Sequence, residues 1–151
     1  MPRAVSGDLP DNKFPVDTAI QHYGLPTIRA AAALRCSDPG KATELRREVS
    51  PYELGAMGSF EPIHVRGRAY LMLLDGSAAA AEFRKLIDHR GLVVNAPVGA
   101  LAHPGVARAY ALQRDSAKSR AAYQVFFTLW KDADPEIPIL LEAKAEYAKL
   151  Q

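Results

Sequence analysis

The sequence predicts an all-α protein made of three antiparallel helical hairpins and a closing helix. Three observations predict it. Alanine is abundant and β-branched residues are few in the 151-residue chain, which favours helix over strand. The stretch from Arg66 to Leu86, RGRAYLMLLDGSAAAAEFRKL, holds two apolar runs divided by Asp75-Gly76-Ser77. Gly supplies a tight bend there and Ser77 a helix N-cap. Finally, one spacing recurs. From Tyr70 it is nine residues to Ala79 and thirteen to Phe83; from Tyr110, nine to Ser119 and thirteen to Tyr123; from Ala33, nine to Ala42 and thirteen to Arg46. A small residue stands three before each first position: Ala30, Gly67 and Ala107. Copies at steps of 37 and 40 residues predict a repeat architecture. In each hairpin the small residues let two helices approach closely and the aromatics fill the space between them, with Tyr70 and Phe83 expected to be buried together.

In chain order, residues 1–13 read as a partly ordered leader rich in Pro, Gly and Asp, and residues 14–151 as the helical domain. Its hairpins are expected at about 16–49, 61–89 and 98–131. Helical pattern starts near Pro15 or Val16, and Pro26 after Gly24 either ends a short helix near Tyr23 or kinks a longer one. Thr27–Arg35 is the next helical run. Asp38 is then a suitable N-cap and Pro39 a suitable first residue for a helix over Lys41–Val49. Pro51, Gly55 and Gly58 make Ser50–Ser59 a loop. Helices at 61–74 and 77–89 follow. Arg90–Pro97 is expected to be an extended loop tucking in Leu92 and Val94. Helices at 98–113 and 116–131 come next, the first kinked or delayed by Pro104-Gly105. Asp134 caps and Pro135 opens a final helix over about 135–150. Ile137, Leu140, Leu141, Tyr147 and Leu150 give it an apolar face, and Glu142, Lys144, Glu146 and Lys149 are expected in water. Arrays of repeats need such an end element.

Composition narrows the functional classes. The formal charge is +2 and neither half is strongly basic, so nucleic acid is not an expected partner. No apolar run is long enough to span a bilayer, and no signal-peptide pattern opens the chain. The expectation is a cytoplasmic location, with membrane association only through a segment of a larger parent protein. One cysteine, Cys36, permits no internal disulfide and reads as a small buried filler at a helix end.

The spacing resembles the tetratricopeptide repeat, whose signature runs L-G-x-x-Y and then A-x-x-x-F. The second and third copies match it well. The first is degenerate, with Ala33 and Arg46 where aromatics are usual. From Asp88 to Tyr147 the segments IDHRG, ALAH, ARAYAL, AAYQ, LWKDADPEIPIL and AKAEY are similar to the repeat tail of bacterial serine/threonine kinases of the eukaryotic type. FPVDT and LPTIRAA are similar to the upstream part of such tails. The resemblance implies antiparallel hairpins stacked in a right-handed superhelix with a C-terminal capping helix, and a fragment or relative of a modular signalling protein. His103-Pro104-Gly105 and the charged KATELRREVS segment depart from the pattern.

No catalysis is expected in this chain. There is no Gly-rich phosphate loop and no Asp-Phe-Gly segment, and Asp88-His89-Arg90-Gly91 is helix punctuation rather than the His-Arg-Asp of a kinase catalytic loop. His22, His64, His89 and His103 lack metal-ligand spacing, so neither a metal nor a cofactor is expected. His103 reads as a packing histidine bonded to a loop carbonyl.

In a superhelix of this kind the first helix of each hairpin lines the concave face. That face would carry Thr27 from the first hairpin, His64, Arg68, Leu71 and Met72 from the second, and Arg108 and Leu112 from the third. The expected function is a non-catalytic groove for a protein or peptide. Aliphatic surface supplies affinity there, and Arg68 and Arg108 receive an acidic or carboxylate group. The two arginines read equally well as solvated or locally paired. The alternatives are a self-associating homodimer module and a small-ligand sensor domain.

Overall fold

The computed structural model describes residues 20–44, 60–94 and 96–150, and every regular element among them is helical. A π-helical turn, Ile20–Gly24, runs into α1 (Leu25–Arg35); α2 is Pro39–Glu44, α3 Glu61–Met72 and α4 Gly76–Asp88. A short α5 (Arg90–Val93) leads to α6 (Pro97–Leu112), α7 (Ser116–Leu129) and α8 (Pro138–Ala148). The expectations for the leader, for the helix start near Pro15, for residues 45–49 and for the Ser50–Ser59 loop lie outside the described residues. Gly24 keeps helical angles (φ −66°, ψ −55°), so the chain passes through Pro26 as a continuous helical path instead of ending near Tyr23.

Three turns join α1 to α2, α3 to α4 and α6 to α7, and they are built from the same bonds. Ser37, Leu74 and Arg114 each adopt a left-handed backbone, with φ of 57°, 59° and 59°. The residue that follows is Asp in all three. Its N–H donates back to Ala33, Tyr70 or Tyr110 O at 2.9–3.0 Å, closing the first helix. Its carboxylate accepts the N–H of Lys41, Ala78 or Lys118 at 2.9–3.0 Å, opening the second. The N-cap of α4 is therefore Asp75, not Ser77. Gly76 serves close approach, since a Cβ there would lie 2.6 Å from Ala109 O.

The recurrent spacing reappears as recurrent burial. Ala42, Ala79 and Ser119 are buried, as are Ala30 and Ala107, and Phe83 and Tyr123 are each 1% exposed. The Ser119 hydroxyl donates to Ala107 O at 2.8 Å, which satisfies a polar group at a helix crossing. Arg46 falls outside the described residues. α3 packs on α4, α4 on α6 and α6 on α7. The ring of Phe83 is wedged between helices: a Cβ at Gly67 or at Gly105 would lie 2.7 Å from it. This accounts for the Pro-Gly pair inside α6. Gly105 makes room for the ring, and buried Pro104 is tolerated without delaying the helix. Tyr70 is only half-buried at the edge of this cluster, so it does not share the core with Phe83 as expected.

Several other expectations give way to tertiary contacts. Residues 90–93 are a helical turn that buries Val93, while Leu92 and Val94 are exposed. Cys36 is exposed at the end of α1 instead of filling the core. The last helix begins at Pro138. The Asp134 carboxylate accepts the Glu136 N–H at 2.9 Å and its carbonyl the Ile137 N–H at 3.2 Å, closing a turn ahead of the helix. Leu141 is exposed, whereas Leu140 and Ala143 are buried against Ala107, Tyr123 and Phe126.

A buried ion pair also crosses α3 and α4. Arg66 Nη2 donates to Glu82 Oε2 at 2.7 Å, and Lys85 Nζ reaches both oxygens of Glu82 at 3.0 Å. Burial alone would raise the Glu82 carboxyl, but Arg66 first and then Lys85 outweigh that and hold it below its ordinary value. Sequence inspection singled out Arg68 and passed over Arg66.

Candidate functional site

A recess of about 560 Å³ opens between α3, α6 and the start of α8. Its floor is apolar: Phe83 from α4, Leu101 and Pro104 from α6, and Trp130, Ile137 and Ile139 where the chain folds back after α7. Its polar groups are His64, Arg68, Arg108 and Glu142. Four expected residues, His64, Arg68, Leu71 and Arg108, are thus brought together. Leu112 lines a neighbouring recess of about 410 Å³, which Leu71 and Arg108 also border. Met72 is exposed and lines neither recess. Thr27 lies on α1, apart from both, and its hydroxyl donates to Tyr23 O at 2.6 Å.

The two arginines differ in what they face. Arg108 Nε donates to Glu146 Oε1 and Oε2 at 3.1 and 2.9 Å, and its Nη2 to Glu142 Oε2 at 3.2 Å. The Tyr123 hydroxyl donates to the same Glu146 carboxylate at 2.6 Å; burial and then this bond push the phenol up. Glu142, exposed as expected, and Glu146, which is partly buried instead, are therefore the counter-ions that lock α8 onto α6. Arg68 is exposed at the recess and makes no ion pair or side-chain hydrogen bond among the described residues.

His64 lies between the two cations. Its ring meets Phe83 edge-on, centroids 5.9 Å apart, and makes no hydrogen bond among the described residues. Burial first, then the charges of Arg68 and Arg108, push the imidazole down to about 4, so it is neutral at pH 7. An unfolded imidazole titrates near 6.5. Between those values the unfolded state holds the extra proton. Stability is therefore intact above about pH 6.5 and falls as pH drops toward 4, by on the order of 3 kcal/mol from this group. Urea unfolding of wild type and His64→Gln at pH 7 and pH 4.5 checks this. The variant should lose less stability on acidification, and equal losses would contradict the assignment.

The residues that sequence inspection missed, Trp130, Ile137 and Ile139, come into the site because the chain after α7 turns back over α6. No local periodicity signals that turn. Among the described residues no group of three or more His, Cys, Asp or Glu is placed to hold a metal ion, and no helix is long and apolar enough to cross a membrane. Searches of protein-family models, of curated proteins and of solved structures found no match.

Proposed function

We propose that the chain is a non-catalytic module of tetratricopeptide type. Its hairpins stack as a right-handed superhelix capped by α8, and it binds a protein or peptide on behalf of a bacterial signalling protein such as a serine/threonine kinase. Support for the repeat comes from the three like turns and the recurrent burial. The observation that carries the binding role is Arg68, a cation without a counter-ion among the described residues, beside an apolar recess. The partner therefore presents one acidic group, not two, because Arg108 is already neutralised by Glu142 and Glu146. A charge-assisted contact of this kind contributes about 1.5–3 kcal/mol.

Binding of a pooled acidic peptide library, read by calorimetry at low and high salt, tests the proposal. Arg68→Ala should weaken binding about tenfold to a hundredfold while leaving the melting temperature nearly unchanged. Arg108→Ala should do the reverse, lowering the melting temperature by stranding Glu146. If wild type and a folded Arg68→Ala variant bind equally, the groove anchor is wrong, and self-association or small-ligand sensing takes its place.

A further inference from the structure

A second cleft, of about 830 Å³, shares Trp130 with the groove and lies where the end of α4, α5 and the end of α7 surround the first half of α6. We propose that this cleft binds a small neutral apolar molecule carrying one hydroxyl, which His103 holds by a hydrogen bond. The inference does not depend on the peptide-binding reading.

The volume lies in the range of small-molecule sites, which are mostly apolar with a few placed polar groups. The walls fit that description: Leu86, Val93, Leu129 and Trp130. Apolar surface is concentrated at the opening too, where Val94 is 69%, Leu129 58% and Val125 46% exposed. Apolar surface clustered in this way marks binding surface more often than scattered exposed residues do.

The polar groups select the ligand's charge. Asp88 and Arg90 line the cleft with opposite charges, and neither has an ion-pair partner among the described residues. His103 was expected to bond a loop carbonyl, but its half-buried ring makes no hydrogen bond among the described residues. Burial lowers its pKa, so the ring is neutral at pH 7 and offers one donor and one acceptor. Among the described residues the lining is therefore net neutral. It gives a carboxylate no excess positive charge, in contrast to the groove at Arg68. A hydroxyl can donate to one ring nitrogen or accept from the other while the apolar body rests against Trp130 and Leu129.

The test uses three matched probes, 4-ethylphenol, ethylbenzene and 4-ethylbenzoate, titrated at pH 7 into the full chain. The readouts are the indole N–H resonance of the one tryptophan and the methyl resonances of Val93 and Leu129. These methyls line this cleft and not the groove. Expected are saturable shifts with 4-ethylphenol binding about threefold to tenfold tighter than ethylbenzene, a ratio that falls to about one in His103→Leu. Comparable affinity of wild type for 4-ethylphenol and ethylbenzene would overturn the role of His103 without relying on any variant. Tighter binding of 4-ethylbenzoate, or no saturable shift at Val93 and Leu129, would overturn the site.

Discussion

Phe83→Ala is expected to lower the unfolding free energy by about 3–5 kcal/mol, the usual range for emptying a core aromatic position. The ring is 1% exposed and touches two backbones at once, at Gly67 on α3 and at Gly105 on α6. Both neighbours are glycines, so neither can offer a side chain to refill the cavity, and the loss should fall toward the upper end of the range. Denaturant unfolding followed by circular dichroism measures it. A loss below about 1 kcal/mol would mean that the helices close over the gap and that the ring does not set their separation.

Removal of residues 135–151 is the other large effect. It takes away α8, whose Leu140 and Ala143 cover Phe126 and Tyr123, and whose Tyr147 ring sits 5.5 Å from Phe127 and 6.2 Å from Tyr123. It also removes Glu142 and Glu146, leaving Arg108 and the Tyr123 hydroxyl without their internal partners. The truncated chain should melt about 10 °C or more lower, or aggregate through the uncovered aromatics. A monodisperse monomer with an unchanged melting temperature would show that α8 is an ornament on a self-sufficient body.

What was legible in the sequence was local. The small and aromatic positions at fixed intervals report on which residues meet inside one hairpin, and the structure buries Ala42, Ala79, Ser119, Phe83 and Tyr123 accordingly. Asp38 was readable as a cap because Pro39 follows it. Asp75 and Asp115 carry the same role without that flag, and Ser77 drew attention away from Asp75. The start of α8 was misplaced at Pro135 because Asp-Pro is as good a turn as it is a helix start, and the contacts of Ile137 and Ile139 decide between them. At the site, His64 and Arg68 followed from repeat position. The occupation of Arg108 did not, since its partners Glu142 and Glu146 lie 34 and 38 residues away and are placed only by the packing of α8 on α7. Cys36, Leu92 and Val94 were misassigned for a similar reason. Which side of a short connecting segment faces inward is fixed by its neighbours and not by its own composition.

The three like turns bear on how such a chain can change its length. Each turn ends one helix and begins the next within a few residues, and its bonds fix the nine-residue interval between Ala33 and Ala42, Tyr70 and Ala79, and Tyr110 and Ser119. One residue added inside that interval would rotate the second helix by about 100° and carry Ala79 or Ser119 out of the crossing. The steps between copies are not held in this way: one is 37 residues and the other 40. Length variation is therefore admitted between hairpins and refused within them. The unit that must be kept whole is the hairpin with its aspartate turn, whereas the step from one hairpin to the next carries no such fixed count of residues.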